Sequence, residues 1–493
     1  MKRSVITFVL MIVSASTAAA QEGALQLTLK EAIKAAVEKN LDLKAELYTP
    51  AQNEAELRKN RAIYAPHVTM NTAYQDGSNY SPGLAKDYSS GSFTVTPGAY
   101  QLLPTGGTLN LNYQNVQQSN NTAVPSSYWT SSLMLSLNQP LLKNFGRETT
   151  ELNIKVAELT KDGSVSHLKS LILATVAQVS TEYYKLGSFI QDLESRKTSL
   201  ELAKRILTET EARVRAGVTP AMETLNAQFG VSSREKDIID AEKAVRDQVD
   251  VLSQLLQLQK VTDITPVDLP SRAPYEVNED EAIKKALANR PELADLQSQV
   301  TSAELQAKVA KNQTLPSLNL TSSIGFNGAD AAYGRTTERV GSMGYPAWSV
   351  GLQLDYPLGN QAAENDYVRN RLRSEQLRTQ LASQKSSLEK EVRIAIRTVQ
   401  SSFKQLDVSD RARLYADERL KAYIKKNEVG LATNKDVLDV ENDLTTARTN
   451  QIKAQLAYST ALSQLWKSTG ELLDREGIRV DAAKSDEIYK GVR

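Results

Sequence analysis

Acidic side chains follow a glycine at two corresponding places in the chain. Asp436 and Asp439 come shortly after Gly430, and Glu223 follows Gly217 at the same spacing that separates Asp436 from Gly430. Each glycine interrupts a long helical pattern, so each carboxylate lies near the start of a predicted helix. The helix dipole favours negative charge there, so an ordinary solvated acidic face is one interpretation. The other is a cluster of carboxylates that attracts cations.

The remaining residues that could do chemistry do not converge on a catalytic or metal site. The two histidines, His67 and His167, lie on different predicted elements, which does not favour a metal pair or a catalytic base. The sequence contains no nucleophile elbow, no phosphate-binding glycine loop and no cluster of metal ligands. We therefore expect no metal and no cofactor, and an enzyme is the least supported class. A formal net charge of +1 gives no basic excess that would predict nucleic-acid binding.

The composition and the N-terminus indicate a secreted protein built from long helices. Of 493 residues, 41% are hydrophobic and 6% are aromatic, which suits thin, solvated helices better than a thick globule. Lys2 and Arg3 precede an apolar run, and three alanines ending at Ala20 follow it. Residues 1–20 are therefore predicted to be a signal peptide. The chain has no cysteine, which excludes a disulfide framework and a lipid on an N-terminal cysteine.

Two regions, residues 66–139 and 316–357, have a period of two, which predicts β-strands. Apolar residues alternate with polar ones, so each strand has one apolar and one mostly polar face. The apolar members are Val68, Met70, Tyr74, Leu109, Leu111, Tyr113, Leu133, Leu135, Leu137, Leu318, Leu320, Val350, Leu352 and Leu354. In a secreted protein, short strands of this kind are the signature of an outer-membrane β-barrel.

Long proline-free helical patterns follow both strand regions. The first runs from Gly146 to about Arg215, a rod of roughly 100 Å, and the second runs from Ala362 to Val429. Apolar residues recur every seven positions at Leu186, Leu193, Leu200, Leu207 and Val214 before the first glycine turn, and at Val231, Ile238, Val245 and Leu252 after it. These heptads predict that the helices on either side of the turn pack antiparallel, as in a coiled coil.

The same order of elements occurs twice, so we interpret the chain as two copies of one unit. The first copy, residues 21–262, has a helix from Thr28 to about Tyr64, then strands, a long helix, a tip near 217 and a further helix. A proline-rich linker, 263–278, leads to the second copy, 279–470, with its tip near 430, and a C-terminal tail, 471–493. The first strand region is longer than the second. The excess is either an additional hairpin or an ordered loop.

Three features of the chain resemble the TolC family of outer-membrane efflux ducts. They are the duplicated order of elements, the prolines that close each strand region, and the tip Val429-Gly430-Leu431 followed by Asp436 to Asp439. The resemblance covers nearly the whole chain after the signal peptide. It implies a mainly α protein with β structure, in which three identical chains build one outer-membrane β-barrel continued by a long periplasmic α-helical barrel. With two strands per copy, we expect four strands per chain and about twelve per trimer.

The resemblance also implies roles for the residues at the tips. The tips would form the periplasmic end of the duct, where an adaptor protein of an inner-membrane pump docks. The residues placed there are Gly217, Val218, Gly430 and Leu431. Acidic residues ring the closed entrance in this family, and the matching positions are Asp436, Asp439 and, in the first copy, Glu223. Three copies around a threefold axis would concentrate negative charge, which attracts cations.

The sequence departs from the family at the latch that would hold the entrance closed. The family often has a basic residue two positions after the second tip glycine. This chain has Ala432 at that position. Arg213 and Arg215, on the first tip, are the residues that could substitute as a closed-state latch.

The predicted function is a passive outer-membrane exit duct that exports small molecules after docking an adaptor and an inner-membrane pump. The expected partners are two further copies of the chain, the adaptor, the pump and outer-membrane lipid. Two alternatives stay open. One is an exit duct for type I protein secretion, and the other is a soluble periplasmic coiled-coil adaptor whose strands form a small sandwich. Recovery of the native protein without detergent would favour the adaptor.

Overall fold

The structure is a computed structural model that describes residues 25–82, 86–121, 124–258, 263–268, 270–479 and 483–492. The predicted signal peptide, residues 1–20, lies outside the described residues. The chain divides into two compact units. Of the described residues, the tip unit combines 25–40 with those in 175–277 and 395–465. The sheet unit combines the described residues in 41–174, 278–394 and 466–492.

Both copies have helices, then strands, then a long helix and a further helix, but the first copy has four long strands and the second has two, with a short helix between them. In the first copy they are β1 (Leu25–Leu27), α1 (Leu29–Lys39), α2 (Leu41–Arg61), β2 (His67–Ser81), β3 (Lys86–Leu102), β4 (Thr108–Asn120), β5 (Ser127–Pro140), α3 (Arg147–Thr150), α4 (Leu152–Arg215) and α5 (Met222–Leu256). In the second copy and the tail they are β6 (Ile264–Pro266), α6 (Glu279–Asn289), α7 (Pro291–Gln313), β7 (Ser317–Asp330), α8 (Tyr333–Gly341), β8 (Pro346–Asp355), α9 (Gln361–Glu428), α10 (Asn434–Thr469), α11 (Leu472–Arg475) and α12 (Ala483–Val492).

The long helices predicted from the period are confirmed. α4 has 64 residues and α9 has 68, and both end at the predicted glycine turns. Gln248, late in α5, donates a hydrogen bond of 2.7 Å to Glu182, in the middle of α4. Nearer the turn, Arg196 and Asp237 form an ion pair at 3.8 Å. These contacts confirm that α4 and α5 lie antiparallel. Among the described helices, none is long and apolar enough to cross a membrane.

Some of the predicted heptad positions belong to the core of the tip unit. Leu186 of α4 and Leu252 of α5 are completely buried. Closer to the tips, one cluster joins α4, α9 and α10, and its buried members are Ile206, Leu420, Val437, Val440 and Leu444. The tip unit therefore buries its apolar stripe between helices, as a water-soluble coiled coil does.

The prediction of a single helix from Thr28 to about Tyr64 is wrong in one respect, because this segment forms two helices, α1 and α2. The chain is extended at Asn40, with ψ of 129°, between α1 and α2. Asn40 is buried, and its side chain donates a hydrogen bond of 3.3 Å to the Leu255 carbonyl of α5. Arg290 interrupts the second copy at the corresponding place, between α6 and α7, with ψ of 118°. The apolar spacing continues across both breaks, so the helical period alone does not reveal them.

Part of the proline-rich linker belongs to a small parallel sheet. β6 pairs with β1, so the described start of the linker lies beside the start of the described chain. Tyr183 of α4 fixes this sheet, because its hydroxyl donates to the Leu27 carbonyl at 2.8 Å. The same oxygen accepts from the backbone N–H groups of Val267 at 3.1 Å and Asp268 at 3.0 Å. One buried hydroxyl therefore bonds to three backbone groups at the ends of the two short strands, where the Val267 N–H also donates to the Leu27 carbonyl at 3.1 Å.

The larger sheet has six strands among the described residues, in the order β2-β3-β4-β5-β7-β8, and every neighbouring pair is antiparallel. The prediction of four strands per chain is therefore wrong. The excess length of the first copy is an additional hairpin, β3 and β4, rather than an ordered loop. An inserted pair of strands preserves the alternation of strand direction, whereas a single inserted strand would reverse it.

Pairing across the sheet places the apolar side chains on one face, the apolar face. Leu111 pairs with both Ala99 and Leu135, and Leu320 pairs with Leu352. Its members are Val68, Met70, Tyr74, Phe93, Val95, Ala99, Leu109, Leu111, Tyr113, Leu133, Leu135, Leu137, Leu318, Leu320, Ile324, Phe326, Trp348, Val350, Leu352 and Leu354. The opposite, polar face carries residues such as Asn71, Asn112, Ser136, Ser323 and Gln353. The predicted alternation is confirmed.

The short helix α8 covers the apolar face at the end of the sheet where β7 stops. A Cβ atom on Gly328 would lie 2.4 Å from the carbonyl oxygen of Thr336, so only glycine allows the helix to approach this closely. Asp330, at the end of β7, forms ion pairs with Arg335 at 3.1 Å and Arg339 at 2.8 Å. These ion pairs join the end of β7 to α8.

Candidate functional site

Both hairpin tips have the same backbone geometry. Gly217 and Gly430 have φ of 75° and 78°, which is the left-handed region that favours glycine. The N–H of Val218 donates to the Arg213 carbonyl at 3.0 Å, and the N–H of Leu431 donates to the Lys426 carbonyl at 2.8 Å. This hydrogen bond and the left-handed glycine form a Schellman motif, which ends α4 and α9 in the same way. The tips of the two copies are therefore structural equivalents.

Large apolar side chains are exposed around both tips. Val218 and Leu431, which directly follow the two glycines, are 75% and 77% exposed. The other exposed apolar residues near the tips are Met222, Leu225, Phe229 and Val429. Exposed apolar side chains grouped in this way are typical of a surface that binds another protein.

Asp436 caps the start of α10. The Thr433 backbone N–H and hydroxyl donate to its Oδ2 at 2.8 Å and 2.7 Å. The Asp436 N–H in turn donates to the Thr433 hydroxyl at 3.1 Å, which completes a capping box. The hydrogen bonds from the Thr433 side chain and backbone lower the pKa of Asp436, since they stabilise its charged form. Asp439, three residues further along α10, is exposed to solvent.

Glu223 occupies the equivalent place in the first copy but has different contacts. Its Oε1 accepts a 3.5 Å hydrogen bond from Asn226. Its Oε2 is buried and has no hydrogen-bond partner among the described residues. Further along α5, a Cβ on Gly230 would lie 3.3 Å from Leu438, which neighbours Asp439. α5 and α10 therefore pack together beside the carboxylates, and the structure places acidic residues of both copies at one end of the tip unit.

The two arginines predicted as a latch differ in their contacts. Arg213 donates to the Asn427 side chain at 3.5 Å, and Asn427 donates to the Ala432 carbonyl at 2.9 Å. Asn434 adds a second connection between the tips by donating to the Thr210 hydroxyl at 2.7 Å. Arg213 thus joins the first tip to the second tip within one chain. Arg215 is exposed, and its role as a latch stays a prediction.

A buried ion pair near the tips was missed by the sequence analysis. Arg234 of α5 is 6% exposed and Glu441 of α10 is 3% exposed, and the guanidinium donates directly to the Glu441 carboxylate. Ser199 of α4 bonds to both partners, and Asn442 accepts a further hydrogen bond of 3.0 Å from Arg234. The pair joins three helices of the tip unit, α4, α5 and α10. Removing one partner of such a pair typically costs about 3–5 kcal/mol.

A weak sequence signal for this pair exists. Arg234 lies three residues after Val231 and four before Ile238, so it falls within the apolar stripe of α5. Glu441 follows Val440 and precedes Leu444, which are both buried in α10. A charged residue inside a predicted core stripe indicates a buried partner, because an unpaired charge there would be strongly unfavourable. The period does not identify which residue the partner is.

The described part of the chain contains no group of three or more His, Cys, Asp or Glu side chains that could hold a metal ion.

Comparison with known proteins identifies the family. A family model described as "Outer membrane efflux protein" matches residues 107–257 and 282–471, which is more than half of the chain. The chain belongs to the outer membrane efflux protein family. It is 23% identical over 379 residues to the outer membrane efflux protein BepC of Brucella suis, covering 74% of this chain and 77% of BepC. It is also 23% identical over 319 residues to the pyoverdine export outer membrane protein OpmQ of Pseudomonas aeruginosa, covering 62% of this chain and 64% of OpmQ.

Solved structures show the same fold. The CmeC outer membrane channel of Campylobacter jejuni has a TM-score of 0.67 with this structure at 14% identity, covering 94% of this chain and 89% of that one. The expected TolC-like fold is therefore confirmed. As a member of the outer membrane efflux protein family, the protein is located in the outer membrane with a large periplasmic part, and its relatives are channel proteins rather than enzymes.

Proposed function

We propose that this outer membrane efflux protein is the passive exit duct of a tripartite efflux system. One observation carries the proposal: the larger sheet exposes its apolar face, whereas the tip unit buries its apolar stripe. Val68 is 85% exposed and Leu352 is 68% exposed. Lipid is the environment that suits such a face, while the helices of the tip unit suit the aqueous periplasm. The duct itself performs no chemistry, and energy for export comes from the inner-membrane pump.

The duct is a homotrimer in this proposal. β2 and β8 each pair with one strand among the described residues, so their outer edges carry open backbone N–H and C=O groups. Such groups cannot stay unpaired within a bilayer, because lipid offers no hydrogen bonds. Further copies of the chain supply the missing strands. That the duct contains three chains follows from the family resemblance. The proposal also includes two pseudo-repeats in each chain, residues 21–262 and 279–470.

The tips form the periplasmic end of the duct. Asp436, Asp439 and Glu223 of three chains together form an acidic ring that binds cations and narrows the closed entrance. Gly217, Val218, Gly430 and Leu431 present the exposed apolar surface on which a periplasmic adaptor docks. Docking then draws the tips apart and opens the entrance.

The aperture is tested by single-channel recording in planar bilayers. We expect Asp436→Ala with Asp439→Ala to raise the conductance or weaken block by divalent cations, since the charge that holds the cations is gone. Asp443→Ala is the matched control, because Asp443 lies on the same helix and pairs with Arg419 at 2.8 Å on the exposed surface. Unchanged conductance and unchanged block in the double variant would remove the aperture from the proposal.

The cargo proposed is a small molecule. The name of OpmQ refers to pyoverdine export, and other relatives are named for efflux of solvent and toluene. Deletion of the gene should raise sensitivity to toxic small molecules and leave the set of secreted proteins unchanged. Loss of one secreted protein with unchanged drug tolerance would instead support the alternative, type I protein secretion. Membership of the family favours both ducts over a soluble periplasmic adaptor.

A further inference from the structure

The additional hairpin spans the full height of the larger sheet. β3 pairs with β2 from Ser81↔Lys86 to His67↔Tyr100. β4 pairs with β5 from Ser119↔Ser127 to Thr108↔Asn138. The hairpin is therefore inserted between β2 and β5 as two complete strands, and it does not form a loop at one end of the sheet.

The inserted strands have the same two faces as their neighbours. Val95, Ala99, Leu109 and Leu111 continue the apolar face, and Thr96 and Asn112 continue the polar face. Lipid-facing and lumen-facing residues of a membrane barrel alternate in this way along each strand. β3 and β4 thus have the pattern of strands that form part of the barrel wall.

The edges of the sheet are suited to pairing with further copies of the same chain. β2 runs away from the end of the sheet that contains His67, and β8 runs towards that end, where Asp355 lies. The two edges therefore have opposite directions, so β8 of one copy can pair antiparallel with β2 of the next. Both edge strands expose apolar side chains on the same face, including Met70 and Leu354. An even number of strands per chain is required for this closure, and six satisfies it.

We infer that three copies, with six strands each, close into a barrel of eighteen strands. Four strands per chain would give about twelve. This inference rests on the proposed trimeric duct. Barrel diameter grows roughly linearly with strand number, so the outer-membrane pore is about 1.5 times as wide as a twelve-stranded pore. The hairpin 86–120 is the element that sets this width. The outer-membrane end then admits larger cargo, and the tips become the part of the duct that selects by size.

The absence of cysteine from the chain makes the width directly measurable. Ser323→Cys places one spin label per chain on the polar face of β7, which lies in the lumen if the barrel closes. With strands about 4.8 Å apart and tilted by about 40°, the Cα atoms of residue 323 in an eighteen-stranded trimer are about 30 Å apart, against about 20 Å for twelve strands. Double electron–electron resonance on the full-length protein in lipid nanodiscs measures the shorter distance between the labels, which point into the lumen, and the length of the label side chain converts it to the Cα distance.

A deletion of residues 86–120 provides the matched comparison. In the structure Tyr74 pairs with Phe93, Phe93 with Gln117 and Gln117 with Trp129. Removing both inserted strands leaves β2 and β5 antiparallel with their faces unchanged, so a twelve-stranded barrel can form. We expect the Cα distance between the Ser323→Cys positions, derived from the label distance, to fall about 1.5-fold in this variant.

The outcomes separate the inference from the proposed function. A Cα distance near 30 Å in the full-length protein supports eighteen strands, and contraction in the deletion variant assigns the width to the hairpin. A Cα distance near 20 Å in a full-length trimer overturns the inference and leaves the trimeric duct intact. A full-length protein that is not a trimer overturns the proposed function itself. If the deletion variant does not assemble, the full-length distance alone decides.

Discussion

The tip unit buries apolar side chains, whereas the larger sheet of the sheet unit exposes them. In the tip unit, Leu186 and Leu252 are completely buried between helices, and the charged pair Arg234 and Glu441 is buried with them. In the larger sheet, Leu352 is exposed, while the opposite face is polar. The two units differ in this way because they are suited to different solvents. Water drives the helices to bury apolar surface, and lipid removes that driving force from the outer face of the sheet.

The difference between the two units also changes the free-energy cost of placing a polar side chain in each. In the tip unit a buried charge is tolerated only because a partner and several hydrogen bonds accompany it. On the polar face of the sheet, serine and asparagine need no such network if water fills the lumen. The following variants test each side of this comparison, beginning with the largest expected effect.

Arg234→Met should be the most damaging change in the tip unit, because it leaves the Glu441 carboxylate buried without its ion-pair partner. We expect a loss of about 3–5 kcal/mol in the free energy of unfolding. The double variant, Arg234→Met with Glu441→Leu, should recover most of that loss, since a pair of apolar groups needs no hydrogen bonds. Urea unfolding in detergent, followed by helical circular dichroism, measures both.

The control for the buried pair is an exposed pair in the same unit. Arg419 and Asp443 lie 2.8 Å apart with both side chains more than half exposed. Arg419→Met should therefore change stability by no more than about 1 kcal/mol. If Arg234→Met were as stable as Arg419→Met, the buried pair would not be what joins the three helices.

Leu135→Arg should prevent assembly of the sheet in the outer membrane. Leu135 lies on the apolar face of a central strand, and an arginine facing lipid near the bilayer midplane costs about 2–4 kcal/mol. Ser136→Arg is the matched control, because the adjacent residue lies on the polar face. We expect the first variant to be lost from the outer-membrane fraction and the second to remain. Equal recovery of both would contradict the assignment of the two faces.

Thr433→Ala should lower the free energy of unfolding of the second tip by about 1 kcal/mol, because it removes the hydroxyl that caps α10.

Thr433→Ala should also change how the single-channel current responds to acid. The pKa of Asp436 is lowered in the fold, so its stabilising contribution is present above the unfolded pKa and is lost as the pH falls through the folded pKa, which lies below the ordinary aspartate value. Without Thr433 the pKa rises towards its ordinary value. We expect the acid-induced change in single-channel current to occur at a higher pH, and an unshifted profile would show that Asp436 does not control the current.

The smallest effects concern the two predicted latch residues. Arg213→Ala removes one long hydrogen bond to Asn427 and should cost about 0.5–1 kcal/mol. Arg215→Ala changes an exposed side chain and should stay within about 0.5 kcal/mol. Hydrogen exchange at the two tips distinguishes them. Equal loss of protection in both variants would restore Arg215 as a latch candidate.

The helices were predictable because they are long and their apolar period is regular. The break at Asn40 was not, since the apolar spacing continues across it, and the break at Arg290 is marked only by Pro291, which begins α7. The strand alternation was also predictable, but the number of strands was not. β3, Lys86–Leu102, is rich in serine, glycine and threonine and contains Pro97, so its alternation is weak. Only its pairing with β2 and β4 reveals it as a full strand.

The candidate site was predictable only where it consists of local sequence patterns. The glycine turns and the acids that follow them are local patterns, which the sequence displays directly. The contact between Arg234, Glu441 and Ser199 joins three residues that lie far apart in the chain. Such a contact depends on how three helices pack, and the period of any one helix does not determine that.

The most direct test of the exit duct is to purify the protein from detergent-solubilised outer membrane and to determine mass and single-channel conductance on the same sample. We predict a heat-resistant trimer that conducts, with a current that acidification or divalent cations change. A monomer or dimer that needs no detergent and does not conduct would contradict the account, and the apolar face of the sheet would then require another partner than lipid.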